Sequence, residues 1–408
     1  MTTVRVVLRP GRDRSLWERH PWVYSGAIER FDGDAADGDL VAVVDSRGTF
    51  LAWAWLNRRS KITLRVVSWR QDELVGAATL VARVQVAHDL RQRVIGDRAN
   101  AYRVVHSDAD QIPGLIVDRY GDFLVVQLSS LAAERRQGDI LAALRATLAP
   151  TGIWHRGDED LREKEGLTLA DGLLWGEPPP DRVEISESFG DAREAQSVPL
   201  RLRYWVDVRA GHKTGFYLDQ AVNRHRFARL TAGLTVLNTF CYSGAFAVAA
   251  HAGGARRVVN VDSSAEALRL TRENLLLNGV TAHDEDLVEA NVFELLRDYR
   301  DRRAVFDAIV LDPPKFAFRR AQTEAALRGY NDINRLALKL LAPGGVLATF
   351  SCSGAISAAD FQGMLHRAAL DAGRGVQILE HLEQSPDHPE LLTLPESRYL
   401  TGVLARVF

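Results

Sequence analysis

The sequence predicts an α/β protein in three parts: an N-terminal small β-barrel, a middle α+β unit and a C-terminal doubly wound, Rossmann-like sheet. Three observations carry this. From about Gln220, apolar runs alternate with helical-period segments, the rhythm of a mostly parallel sheet wrapped by helices. Before about residue 70, apolar runs are short and broken by turn residues, with no room for a long helix. The chain, at 408 residues, is also longer than one core usually serves. Domains are therefore expected at 1–72, 73–190 and 191–408.

In the first part, Val4–Leu8, Leu40–Val44, Phe50–Leu56 and Ile62–Val67 read as strands, punctuated by Asp37-Gly38-Asp39 and Ser46-Arg47-Gly48. An amphipathic helix is expected from about Leu74 to Ile95, with Leu80, Val84, Ala87 and Val94 on one face. Tyr102–His106, Gly114–Asp118 and Phe123–Leu128 suggest a three-stranded meander whose last turn is Asp118–Asp122. A helix near Ala132–Leu148 and a strand at Gly152–His155 follow. Glu177-Pro178-Pro179-Pro180 is a stiff linker candidate, and Val183–Ile185 with Leu200–Val208 suggests a hairpin. In the last part, strands are expected at Thr235–Asn238, Arg257–Val261, Ala308–Leu311 and Val346–Phe350. Helices lie between them near Ala245–Ala252, Ala265–Asn278 and Tyr330–Leu341.

Composition narrows the function classes. The chain is 46% hydrophobic and 25% charged, and no run of about 18 apolar residues could span a bilayer. Its start lacks an apolar secretory core, and two cysteines make no disulfide framework, so a cytoplasmic setting with reduced thiols is expected. A formal net charge of −2 argues against coating nucleic acid by bulk electrostatics but leaves room for a local basic surface. No H-E-x-x-H or C-x-x-C occurs, so a zinc site is not expected.

The segment Thr235–Gly244 is a strand, a tight turn and the opening of a helix at Ala245, in which Gly244 allows a ligand close to the backbone. Neither G-x-G-x-x-G nor a P-loop lysine is present, so nothing there cradles a pyrophosphate. The next strand ends in Asp262, about 20 residues on, where a carboxylate can accept from both hydroxyls of a ribose. Its competing role is a helix cap, which Ser263 or Ser264 could fill equally well. Asn291 offers a polar contact for an adenine edge, again with helix capping as the alternative. In the turn, Asn238, Phe240, Ser243 and Gly244 are the candidate cofactor contacts. An adenosine-bearing cofactor without a diphosphate points to S-adenosylmethionine.

The Asn-Thr-Phe-x-Tyr-Ser-Gly turn, Asp262 and Asp312-Pro313-Pro314-Lys315 resemble class I S-adenosylmethionine-dependent methyltransferases. More narrowly, the chain is similar to the bacterial large-subunit ribosomal RNA cytosine-C5 methyltransferases with an N-terminal PUA domain. The supporting motifs are Pro113–Gly121, Lys213–Gln220, Asp387-His388-Pro389 and Glu396–Leu400, so the resemblance spans nearly the whole chain. It implies that Lys213–Gln220 closes over the cofactor, with Tyr217 a contact. Asn291 departs from the family, where an aspartate is more common.

Asp312 follows the apolar run Ala308–Leu311, and Cys352 follows Gly344–Phe350, which places a carboxylate and a thiol on one sheet rim. That pair is what methylation of a pyrimidine carbon needs. Cytosine C5 is a poor nucleophile until a thiolate adds to C6, and Asp312 would hold the amino group and N3 edge. Asp312 thus serves as both catalytic and cofactor-site candidate. Cys352 is assigned the nucleophile, and Cys241, inside the cofactor turn, a structural role. Lys315 is divided between an RNA contact and a surface role.

The target base must leave its stack or be single-stranded. Arg9, Arg12, Arg14, Arg58, Arg59 and Lys61 are candidates for phosphate contact, and Trp17, Trp22, Trp53 and Trp55 for stacking, although alternation makes some of these tryptophans core. The expected partner is large-subunit ribosomal RNA, with a homodimer an open option and no membrane. Two other readings remain: methylation of a purine nitrogen without covalent attack, and a non-catalytic RNA-binding assembly factor.

Overall fold

The computed structural model describes residues 4–168, 170–189, 200–317 and 322–408, so the boundary expected between 190 and 191 lies outside the described residues. The chain divides into two compact units, each assembled from separate stretches. The first comprises Met1–Val183, Val206–Leu218 and Pro386–Ser397; the second comprises Glu184–Trp205, Asp219–Ser385 and Arg398–Phe408. Segments 206–218 and 386–397, expected in the last domain, thus pack with the first unit.

The first unit opens with a six-stranded sheet in the order Trp22–Tyr24, Ile62–Ser68, Phe50–Leu56, Leu40–Val44, Arg5–Leu8, Ile28–Asp32. All pairs are antiparallel except Arg5–Leu8 with Leu40–Val44. Val6, Leu8, Val41, Val43, Ala54, Leu56 and Leu64 fill its core. The strands at Trp22–Tyr24 and Ile28–Asp32 escape the sequence pattern because they are short and carry exposed Glu29 and Arg30. Trp55 is 2% exposed under the Arg136 guanidinium and belongs to the core, whereas Trp17 is 60% exposed.

A five-stranded sheet follows, ordered Gly172–Gly176, Gly152–His155, Phe123–Leu128, Leu115–Tyr120, Ala101–His106. Tyr120 pairs directly with Phe123, so the expected five-residue turn contracts to Gly121 and Asp122, with Gly121 at φ +59°. The helix read as Ala132–Leu148 breaks at Arg136 into Leu131–Arg135 and Gln137–Leu148.

Three of the sequence motifs meet in this unit through buried charge. Arg91, on helix Ala77–Val94 and fully buried, grips Asp110 with two bonds of 2.6 and 2.7 Å and the Asp387 carbonyl at 3.0 Å. Arg103 pairs with Asp118 at 2.8 and 2.9 Å, while its backbone N–H donates to Asp387 Oδ2 at 2.8 Å. Thr214 Oγ1 donates to Asp118 Oδ2 at 2.6 Å, and the Phe216 N–H donates to the Tyr120 hydroxyl at 3.2 Å. Burial alone would raise the Asp118 carboxyl, but the charge and hydrogen bonds of Arg103 outweigh it and hold the group low. Removing one partner of such a buried pair strands the other's charge, a loss of about 3–5 kcal/mol. His388, for which the sequence offered no chemistry, packs 5.5 Å from the His106 ring.

The second unit is built on a seven-stranded sheet. Its order is Leu287–Glu289, Arg257–Asp262, Thr235–Thr239, Phe306–Leu311, Leu341–Ser351, Thr401–Val407, Val376–Glu383. The first five strands pair in parallel, and Thr401–Val407 runs antiparallel to both its neighbours, Leu341–Ser351 and Val376–Glu383. Central strands are buried nearly continuously, as expected when helices cover both faces. Chain order reverses at Thr235–Thr239, which lies between Arg257–Asp262 and Phe306–Leu311, so a ligand crevice is expected beyond its C-terminal end.

Candidate active site

At the reversal strand the chain turns sharply. Phe240 (φ 55°), Tyr242 (φ 45°) and Gly244 (φ 71°) all adopt left-handed backbone, a strain of roughly 1–3 kcal/mol for each non-glycine residue. Surrounding groups enforce it. The Cys241 N–H donates to Val261 O at 3.0 Å and the Tyr242 N–H to Asp262 Oδ2 at 2.9 Å. Thr271 Oγ1 donates to Tyr242 O at 2.9 Å, and Asn274 Nδ2 donates to Ser243 O at 2.9 Å.

Gly244 has a steric reason within the protein beside the ligand approach expected of it. A β-carbon there would lie 2.5 Å from Thr271 Cγ2, so the close approach is to the neighbouring helix, Ala265–Leu277. Gly244→Ala is expected to cost about 1–3 kcal/mol by combining that overlap with positive φ, measured by thermal unfolding. The shifted turn should also weaken cofactor binding, measured by calorimetry.

Asp262 stands at the end of its strand, half-buried, and Ser264 rather than Asp262 caps the following helix, accepting from the Ala267 N–H at 3.2 Å. Each Asp262 oxygen takes one backbone N–H, from Tyr242 and from Ser264 (3.0 Å), and keeps capacity for a further donor. Asn291 is exposed and caps Val292–Asp301, its Oδ1 accepting from the Phe293 N–H at 2.9 Å. Asn238 is buried, donating to Asn260 Oδ1 at 2.9 Å as a rung between adjacent strands. The Phe240 ring meets Phe293 edge-on at 6.4 Å, and Ser243 is 2% exposed. Tyr217 belongs to the first unit, its hydroxyl 3.3 Å from His212 Nδ1.

Asp312 and Cys352 leave the sheet on one edge, because Leu311 pairs in parallel register with Thr349. Both are half-buried. The Cys352 thiol donates to the Pro313 carbonyl, Sγ to O 3.9 Å, beside Asp312. Ser351 Oγ donates to the Tyr330 hydroxyl at 3.1 Å, and Ser353 Oγ to Ala317 O at 2.6 Å, fixing the chain on either side of the sulfur. Cys241 sits 3.8 Å from Thr271 Oγ1, and burial pushes its thiol up, away from the thiolate.

Burial, then the nearby charge of Asp219, push the Asp312 carboxyl up to about 7. Gln220 Nε2 donates to Asp312 Oδ2 at 3.1 Å, and Gln220 Oε1 accepts from Asn223 Nδ2 at 2.7 Å. Asp219 Oδ2 accepts from the Tyr399 hydroxyl at 2.7 Å. Asp219, Gln220 and Tyr399 lay inside motifs the sequence flagged, but no local pattern there shows that they converge on Asp312.

Among the described residues no cluster of three or more His, Cys, Asp or Glu could hold a metal, and no helix is long and apolar enough to cross a membrane. A carboxylate able to receive ribose hydroxyls at one strand end and an acidic pair beside the switch strand fit a nucleoside that carries positive charge. S-adenosylmethionine is such a molecule.

Comparison with known proteins agrees. Residues 6–69 match the PUA-like domain family, and residues 188–398 match the S-adenosylmethionine-dependent methyltransferase family. Proteins called ribosomal RNA large subunit methyltransferase I from Yersinia pestis and Yersinia pseudotuberculosis are 42% identical over 406 residues, covering 99% of this chain and 100% of theirs. Among solved structures, a Streptococcus mutans protein described as a SAM-dependent methyltransferase superposes with a TM-score of 0.81 at 21% identity, over 98% of this chain and 99% of that one. A methyltransferase structure complexed with SAH gives 0.82 at 21% identity over 100% of both chains. At that identity the two structures speak for the fold.

Proposed function

The chain belongs to the S-adenosylmethionine-dependent methyltransferase family, and we propose that it methylates C5 of a cytosine in large-subunit ribosomal RNA through a covalent adduct with Cys352. The substrate class follows from relatives named for the large ribosomal subunit, with near-complete mutual coverage. A cytoplasmic setting accords with such a substrate. The observation that carries the chemistry is the Cys352 sulfur, 3.9 Å from the Pro313 carbonyl and on the same sheet edge as Asp312.

The Cys352 thiolate adds to C6 of the ring, and the electron pair of the C5–C6 bond makes C5 enamine-like. Charge that builds toward N3 is offset by the Asp312 carboxyl, which still carries a proton over much of the neutral range. When bound, the cofactor would supply an electrophilic methyl group to C5, its sulfonium leaving as the neutral thioether S-adenosylhomocysteine. A base, to which no residue of the chain is assigned, takes the C5 proton; the C5–H electron pair re-forms the C5–C6 double bond, and the C6–S bond breaks to release the Cys352 thiolate. Pro313 lacks a backbone donor, and its carbonyl, which accepts from the thiol, points toward the reacting edge.

Both the methyl donor and the sulfur must reach one ring, so the base must be flipped or single-stranded. Arg9, Arg12, Arg14, Arg58, Arg59 and Lys61 are all exposed in the first unit, although Arg14 pairs with Glu18 and Arg58 with Asp37. Their contact with RNA phosphates would set affinity and its salt dependence.

The test is RNA carrying 5-fluorocytidine, incubated with the enzyme and the methyl donor. Fluorine at C5 blocks the final elimination, so a denaturant-resistant protein–RNA adduct is expected with the native enzyme. Its absence, with methyl transfer to ordinary RNA intact, would reject the covalent route.

A further inference from the structure

Which oxygen of Asp312 holds its proton is decided by a relay that begins at a backbone carbonyl. The Glu383 carbonyl, at the end of strand Val376–Glu383, can only accept a hydrogen bond. The Asn223 amide group lies 2.9 Å from it, so the atom facing that carbonyl is the donor, Nδ2. The same nitrogen donates to Gln220 Oε1 at 2.7 Å, which turns the nitrogen of Gln220 toward Asp312. Gln220 Nε2 then donates to Asp312 Oδ2 at 3.1 Å. Asn223 is 0% exposed and Gln220 3%, so solvent offers neither amide an alternative orientation.

An oxygen that faces an N–H is an acceptor and leaves the proton to its twin. Burial, then the charge of Asp219, raise the Asp312 carboxyl to about 7 against the opposing pull of Gln220 and Arg224. A proton is therefore present over much of the neutral range, and its place is Oδ1. Asp312 is half-buried, and its Oδ1 takes no hydrogen bond from the described residues yet is not sealed from solvent. The carboxyl thus offers a donor at Oδ1 and spare acceptor capacity at Oδ2. The cytosine edge is the complement, with N3 an acceptor and the 4-amino group a donor. Uracil is the reverse, with a donor at N3 and an acceptor at O4.

We propose that Gln220 and Asn223 are positioning residues that fix the Asp312 proton on Oδ1 and thereby select cytosine over uracil. This rests on the pyrimidine C5 chemistry proposed above and adds the determinant of base choice. As the Cys352 thiolate adds at C6, the displaced electron pair reaches N3, the Oδ1–H bond breaks and an N3–H bond forms. Asp312 is then ionised, and N3 returns the proton to it once the sulfur has left.

Gln220→Glu, nearly the same in shape, tests the relay. It sets two carboxyls within hydrogen-bond reach, which share one proton between the new side chain and Asp312 Oδ2 and leave Oδ1 an acceptor. The probes are two RNAs in which the target cytidine, located by methylation of ordinary RNA, is replaced by 5-fluorocytidine or by 5-fluorouridine. The readout is the ratio of denaturant-resistant adducts formed with the two in the presence of the methyl donor. Both adducts come from one preparation, so the ratio does not depend on how much of a variant folds. The native enzyme is expected to favour 5-fluorocytidine by about a hundredfold or more, and Gln220→Glu to lower that ratio by about tenfold or more. Asn223→Leu, which frees the Gln220 amide to rotate, should shift the ratio the same way by less. An unchanged ratio in Gln220→Glu, including loss of both adducts together, overturns the relay while the covalent route stands. A native enzyme that forms neither adduct rejects the covalent route and this assignment with it.

Discussion

Cys352→Ala is expected to lower the rate of methyl transfer to ordinary RNA by about 10⁴-fold or more, with KM for RNA and affinity for S-adenosylhomocysteine nearly unchanged. The reason is that the sulfur contributes to the transition state and little to binding: without it, C5 keeps the low nucleophilicity of an aromatic pyrimidine. Cys352 is half-buried, and its flanking serines make the local hydrogen bonds, so the unfolding temperature should move little. Cys241→Ala supplies the contrast. That thiol is packed against Thr271 with its ionisation pushed up, so its loss should cost stability and leave the chemical step intact. Single-turnover methylation of RNA separates the two. A Cys352→Ala rate within a few fold of native would instead favour transfer to a nitrogen, where no covalent activation is needed.

The parts of this fold that could be read from the sequence are those whose cause is local. Helix Ala245–Ala252 and strands Leu40–Val44 and Phe50–Leu56 coincide with their expected limits because periodicity and turn residues sit next to each other in the chain. Helix Thr323–Leu340 was anticipated only from Tyr330, since its first turns are charged and amphipathic rather than apolar. Strand Val376–Glu383 at the sheet edge alternates with Glu380, His381 and Glu383 and resembles a solvated loop. The grouping of 206–218 and 386–397 with the first unit has no local signature. It depends on Asp118 meeting Thr214 at a separation of 96 residues and Arg91 meeting Asp387 at 296.

The site divides along the same line. Asp312 and Cys352 could be placed on one rim because each terminates a recognisable strand, and parallel pairing carries both to the same edge. Asn291 was harder, because a helix cap and a ligand contact ask for the same residue type, and Gly244 because the side chain it must clear, Thr271, lies 27 residues away. The Asp219–Gln220–Asp312 arrangement was out of reach, since the second carboxylate arrives from a segment 93 residues away.

Asp312→Asn is expected to move activity and stability in opposite directions. The carboxyl sits at about 7 in the folded protein, against an ordinary value near 3.8, because burial and Asp219 disfavour its charge. A raised folded pKa means the native state binds this proton more tightly than the unfolded chain does. The resulting stability is fully present below about pH 4 and is lost as pH rises toward 7, levelling off above it. An amide carries no such titration. The variant should therefore match the native enzyme in unfolding temperature at pH 4 and exceed it at pH 8, as scanning calorimetry without cofactor would detect. Activity should fall, by about 10²–10⁴-fold at pH 7, because an amide can hydrogen-bond the ring edge but cannot transfer a proton toward N3. In the native enzyme the same proton predicts a rate that declines above pH 7, a limb the variant should lack. Coincident loss of stability and activity at pH 8 would instead identify Asp312 as a structural acceptor for Gln220, held ionised.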